Sequence, residues 1–146
     1  MSSTKTLIIC PLDKTADNPD SVKQEAIGLC EALQLSIQDV LFFTIKKINP
    51  ATYLTKGHLE RVAETVQDKD IKLVYIDKQL KPGQQRDLEE YLQVKVVDRT
   101  GLILEIFADR AKTQEGRIQV DLAYKMYQKS RLVRAWTHLE RQRGGG

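Results

Sequence analysis

Cysteine is nearly absent: Cys10 and Cys30 are the only two in 146 residues. A disulfide framework or a zinc site needs a denser pattern, so both read as reduced, small core hydrophobes. Neither has a basic neighbour in sequence to activate it as a thiolate. Histidine is equally sparse, and His58 and His138 lie far apart with no HExxH between them. No constellation for metal or nucleophilic catalysis is visible. Three glycine patterns are missing: GxxxxGK[ST], GxGxxG and GxSxG. Without them the chain has no loop of the kind that cradles phosphates or presents a serine nucleophile. Long apolar runs are missing too. Leu7-Ile8-Ile9-Cys10 is short and meets Pro11, far from the roughly 20 residues of a membrane span. The expectation is a cytoplasmic protein with no membrane contact, and with no metal or cofactor bound by this chain.

Charge is present but unevenly placed. The net charge is only +3. Residues 110–146 hold nine Lys/Arg against three Asp/Glu, a net +6, while residues 1–109 hold fourteen against seventeen, a net −3. A mildly acidic body thus carries a basic C-terminal part, which suits a polyanionic partner. Lys129, Arg131, Arg134, Arg141 and Arg143 are spread along that part, with Tyr124, Tyr127, Trp136 and His138 among them. Arginine supplies bidentate phosphate contacts and aromatic faces can stack on unpaired bases. Gly144, Gly145 and Gly146 let the backbone pass close to RNA, having no Cβ to clash. Trp136 and His138 either stack on bases or brace a loop.

The hydrophobic pattern organises the rest. Thr6–Cys10, Val40–Ile45, Lys72–Ile76 and Val94–Val97 read as four buried strands, the first stopped by Pro11. Between them fall helical stretches. Val22, Ala26, Leu29, Cys30 and Leu33 share one face behind a cap at Asp20 or Ser21. Leu59, Val62, Ala63 and Val66 make a second helix, and Leu88, Tyr91 and Leu92 a third that starts at Pro82. The alternation implies an α/β fold: a small, mostly parallel four-stranded sheet flanked by helices, followed by a C-terminal helical arm. Thr100 is read as the cap of the next helix and Thr113 as the cap of a longer one. Residues 1–110 are then the α/β body and 111–146 the arm.

Ligands of parallel sheets usually sit beyond the carboxyl ends of strands, where Pro11-Leu12-Asp13, Asp77 and Asp98 fall. Asp77 is read either as a loop-starting aspartate or as a nucleotide or metal contact, and Asp98 as a helix cap or an anchor for Arg99 or Arg110. Lys56 and Gly57 open a helix, either as a plain turn or as an anion site using the free N–H groups.

The segment from Asp98-Arg99-Thr100-Gly101-Leu102-Ile103-Leu104-Glu105-Ile106-Phe107-Ala108 through Glu115-Gly116-Arg117 resembles the N-terminal hallmark of the HflX-type GTPases. Pro50-Ala51-Thr52-Tyr53 with Lys56-Gly57 is similar to the family's PATYIGKGK stretch. Pro82, Gln84-Gln85-Arg86 and Leu88-Glu89 are similar to its SPxQQRNLE, and Arg131-Leu132-Val133 with Trp136-Thr137-His138-Leu139 to its WTHLSRQGGG region. The chain departs from the pattern at Thr55, His58, Arg134-Ala135 and Arg143. The resemblance implies an α/β subdomain followed by two antiparallel helices joined by a glycine-rich loop. It implies large-subunit ribosomal RNA as partner, with splitting or rescue of stalled ribosomes as the role. GTP and magnesium would belong to a GTPase domain that this chain lacks, so no GTP hydrolysis is expected of it alone. The body would pack on that missing domain and restrain it. ATP binding, attributed to some members, has no motif here. An arm helix over 113–130 without its partner would expose Ile118, Leu122 or Met126 and either dimerise or fold back on the body.

Overall fold

A computed structural model describes residues 4–13, 17–110, 122–123 and 125–127. Within them four strands and four helices alternate: β1 (Lys5–Leu12), α1 (Pro19–Glu31), β2 (Ser36–Thr44), α2 (Lys56–Asp68), β3 (Leu73–Ile76), α3 (Pro82–Leu92), β4 (Lys95–Asp98) and α4 (Arg99–Arg110). The sheet is wholly parallel, in the order β2-β1-β3-β4.

Strand β1 is central, so both its faces are buried. Leu7 and Ile9 point to the layer of α2 and α3, where they meet Val62, Val74 and Leu88. Ile8 and Cys10 point to the layer of α1 and α4, against Ala26, Tyr75 and Leu102. Right-handed crossovers dictate this sandwich: the chain steps one way from β1 to β2 and the other way from β2 to β3 and β4, so the helices divide between two faces. The step reverses between β1 and β3, which opens a crevice at their carboxyl ends.

Pro11 does not end β1 as its sequence suggests; pairing with β2 continues to Leu12↔Thr44. Ile9 O accepts the Asp77 N–H on the β3 side and Leu12 O accepts the Ile45 N–H on the β2 side. Alternation therefore aims the Pro11 nitrogen at the β3 side, past the last β3 pair at Ile76, where no ladder bond is lost.

Several helix starts differ from the sequence reading. Asn18, not Asp20 or Ser21, caps α1, its Oδ1 accepting from both of those backbone N–H groups at 3.0 and 3.4 Å, with Pro19 as the first helical residue. Helix α4 begins directly after β4; of the two residues read as its cap, Asp98 is the one that accepts the Gly101 N–H, at 2.9 Å, while Thr100 already lies inside the helix. Tyr91 is 48% exposed rather than part of the apolar face of α3. Buried Gln85 and Glu89 occupy that face beside Leu88 and Leu92.

Candidate functional site

Asp98 is fully buried at the end of β4, and all its described bonds run inward. One oxygen accepts the Leu80 N–H at 2.9 Å. The other caps α4 and also accepts the Tyr127 hydroxyl at 2.8 Å. Tyr127 belongs to the arm, in which Leu122, Ala123 and Lys125–Met126–Tyr127 are helical. Gln85 Oε1 lies 3.2 Å from the same hydroxyl. One carboxylate thus closes the β3–α3 loop, starts α4 and holds the arm. Its negative charge at the first turn of α4 is also favoured by the helix dipole.

Gly101 makes this junction possible. A Cβ there would sit 2.7 Å from Tyr127 Cζ and 2.9 Å from Val97 Cγ2, and closer still to the Tyr127 hydroxyl. Gly101 is the third residue of α4, and having no Cβ it leaves room for the ring to reach Asp98.

Gln85 and Glu89, one helical turn apart on α3, face the open edge of β4. Gln85 Nε2 donates to Val96 O at 2.7 Å and Glu89 Oε1 accepts the Val96 N–H at 3.1 Å. Together they replace the missing neighbour strand, which satisfies the edge and blocks further pairing. Gln84 serves the helix itself, its Oε1 accepting the Lys81 N–H at 2.9 Å. Sequence reasoning met Gln85, Glu89 and Gly101 only within the family motifs and grouped Tyr127 with the aromatics that could stack on bases; it gave none of them this role. The available signals were two polar side chains spaced i, i+4 on an apolar helix face and a glycine inside a helix.

Asp77 lies apart from this junction. Its Oδ1 accepts the Tyr75 hydroxyl at 2.7 Å and Arg99 Nη1 at 2.9 Å, and Arg99 also pairs with Glu25 of α1. The bond to Glu25, and the nearby Asp77 charge, raise the guanidinium pKa. Burial, reinforced by Asp77, raises that of the Tyr75 hydroxyl. Asp77 and Asp98 are thereby both bonded within the fold. Burial also pushes the Cys10 and Cys30 thiols up to about 12, which fits inert core residues.

Lys56 and Gly57 begin α2 behind a Thr55 cap, and a Cβ on Gly57 would meet open space, so no close backbone approach needs that glycine. Lys56 instead lines a concavity of about 360 Å³ with Lys47, Ile48, Asn49, Pro50 and Thr55. A larger one, about 500 Å³, lies at the crevice beyond β1 and β2, between Pro11, Leu12, Asp13, Lys46, Tyr53 and Lys78, with Ile45 and Ile48. Among the described residues no group of three or more His, Cys, Asp or Glu could hold a metal ion, and no helix is long and apolar enough to cross a membrane. The sequence-predicted RNA contacts Lys129, Arg131, Arg134, Trp136, His138, Arg141, Arg143, Gly144, Gly145 and Gly146 lie outside the described residues. So does Ile118, whereas Leu122 and Met126 are 61% and 67% exposed.

A parallel α/β body bearing a helical arm defines the class, and family comparison narrows it. The family described as "GTP-binding GTPase N-terminal" matches residues 20–108, and the one described as "GTP-binding GTPase Middle Region" matches 110–146. The chain is 48% identical to "GTPase HflX" of Magnetococcus marinus over 90% of its length and 40% identical to that of Escherichia coli, also over 90%. It spans 30% and 31% of those two relatives. Among solved structures, the SsGBP and GDP complex superposes with a TM-score of 0.69 at 26% identity, over 90% of this chain and 36% of that one. A GDP-bound GTP-binding protein from Sulfolobus solfataricus gives 0.66 at 27%, over 86% and 37%. The chain belongs to the GTP-binding GTPase N-terminal family, with the HflX GTPases as its relatives.

Proposed function

We propose that the chain is a ribosome-binding and regulatory module of an HflX-type GTPase. It docks on large-subunit rRNA through the basic arm, takes part in splitting or rescue of stalled ribosomes, and hydrolyses no GTP by itself. The observation that carries this reading is the segregation of charge, +6 over residues 110–146 against −3 over residues 1–109. The arm junction supports it: Asp98 and Gln85 hold the Tyr127 hydroxyl and Gly101 leaves room for its ring, which ties Tyr127 of the arm to the body. Arg131, Arg134, Arg141 and Arg143 are the phosphate contacts, and the partner is reached in the cytoplasm. A chain ending at Val133 loses most large-subunit affinity in a pelleting assay, and binding of the full chain falls steeply with salt. Equal pelleting of the two chains contradicts the reading. A nucleotide site at Pro11, Asp77 and Asp98 draws less support, because both aspartates are already bonded within the fold.

A further inference from the structure

Eight of the lysines of the body fall into two sets. At the amino edge of the sheet Lys5, Lys69, Lys72 and Lys95 each meet a carboxylate, of Asp70, Asp39 or Glu89. At the carboxyl edge Lys46, Lys47, Lys56 and Lys78 line the two concavities, and among the described residues none is in an ion pair. Asp13 is the single acid lining either hollow. A body whose net charge is negative thus gathers four lysines that are in no described ion pair along one edge.

The two hollows meet at Ile48, which is 50% exposed. They form a run along the strand ends rather than one closed chamber. Tyr53 stands in the wall of the larger hollow with φ +70°, a left-handed conformation that costs a bulky residue of order 1–3 kcal/mol. A two-bond bridge to Asn49 holds it there, Tyr53 N donating to Asn49 O at 2.8 Å and Asn49 N to Tyr53 O at 3.3 Å. This side also adjoins the arm: Lys78 O accepts the Arg99 N–H at the start of α4, one residue from the Asp98 that holds Tyr127.

We propose that the carboxyl edge of the sheet, with Lys46, Lys47, Lys56 and Lys78 around Ile48 and Tyr53, is a second RNA-contact surface continuous with the arm. It rests on the reading that the chain's partner is RNA, but on none of the arm's residues. Lys46, Lys47 and Lys56 are exposed and Lys78 half-buried, and hydrated ammonium groups suit a phosphodiester backbone, which gains by counterion release rather than by a tailored pocket. Tyr53 and Ile48 offer the apolar face on which an unpaired base stacks. A compact nucleotide fits less well, because the one left-handed residue in these walls spends its N–H on Asn49 instead of turning it to a phosphate.

The test is fluorescence anisotropy of the 146-residue chain with a labelled oligouridylate of roughly 20 nucleotides, longer than a typical single-strand site. Lys46→Gln/Lys78→Gln is expected to weaken binding at least several-fold and to flatten the log–log salt dependence by about 1.4, the slope of two lost single-strand phosphate contacts. Lys69→Gln/Lys72→Gln, at the amino edge, leaves both unchanged. If the carboxyl-edge variant binds like the parent while the chain ending at Val133 does not, the inference is overturned and the arm reading stands. If the parent binds neither the oligonucleotide nor large subunits, both fall. Calorimetry with ATP and magnesium supplies the last arm: heat lost in Lys46→Gln/Lys78→Gln with RNA affinity intact would make the edge a nucleotide pocket and overturn the inference.

Discussion

Gly101 and Tyr127 are a matched pair, and each yields a distinct prediction. Tyr127→Phe keeps the ring but removes the bond to the Asp98 carboxylate, a charge-assisted contact of about 1.5–3 kcal/mol. The expected result is faster amide exchange in the arm with little change in the body. Gly101→Ala reverses the usual helix preference. Alanine in a helix interior normally gains about 1 kcal/mol over glycine, yet here its methyl occupies the place of the Tyr127 hydroxyl. Arm protection should therefore fall although α4 itself gains propensity, and hydrogen exchange resolved by segment would separate the two. His58 gives a pH dependence. Its ring stacks on Phe43 at a centroid distance of 4.3 Å, and Nδ1 has no hydrogen-bond partner among the described residues. Burial lowers its pKa below the ordinary 6.5. The unfolded chain therefore takes up the proton first, so this contribution to stability is complete above about pH 6.5 and lost as pH falls toward the folded value. Urea midpoints from pH 7.5 down to 5 should decline in the parent, and decline less in His58→Gln; parallel curves would exclude His58 as the cause.

At the scale of elements, the α3–β4 pairing has the most to lose. Gln85→Leu fits the apolar surroundings but strands the Val96 carbonyl at a buried edge, and leaving such a group unpaired costs about 1–3 kcal/mol. A lowered urea midpoint with an unchanged m-value is the expected signature. The same pairing marks how far the elements were legible. The four strands were readable because both faces of a parallel sheet are buried and leave unbroken apolar runs, as in Leu7–Cys10 and Leu73–Ile76. Strand β2 runs four residues further toward its start than its apolar run, because Ser36–Asp39 lie on the sheet's outer edge, where polar residues are tolerated. Pro11 misled for a tertiary reason: its missing N–H matters only where a neighbour strand lies opposite, and β3 stops short of it. The start of α4 was read two ways, at Thr100 and at Asp98, because Asp98 ends a strand and caps a helix at once, and local pattern offers no loop between them. The arm junction was illegible for the same kind of reason. Gln85, Asp98, Gly101 and Tyr127 stand up to 42 residues apart, and only the folded chain brings them to one hydroxyl. Asp77 and Asp98 were correctly placed at strand ends, but the carboxylates turn inward, a fact that residue type and position do not encode.

For the molecule as a whole, what matters is which sides of the arm are used. Tyr127 turns to the body, whereas Leu122 and Met126, four residues apart and so on one helical stripe, are 61% and 67% exposed. The fold-back and the self-association expected of the arm are therefore compatible: Tyr127 docks on Asp98 while Leu122 and Met126 face outward. Phe107 of α4 adds a further aromatic ring at 54% exposure. Fully burying a leucine or methionine gains about 1.5–3 kcal/mol, so two copies pairing through this stripe would cover four such side chains. That gain is set against an association cost of 4 kcal/mol or more, so the dimer should be weak, with a Kd of tens of micromolar or above. Sedimentation equilibrium of the chain is expected to show concentration-dependent dimerisation in that range, and Leu122→Lys/Met126→Lys to abolish it. Tyr127→Phe separates the two uses of the arm: it loosens docking to the body but leaves the apolar stripe intact, so its self-association should persist. A parent chain that stays monomeric to millimolar concentration would show that the exposed stripe does not hold two copies together. The lysine substitutions should leave the circular dichroism of the α/β body unchanged, because neither side chain enters its two cores.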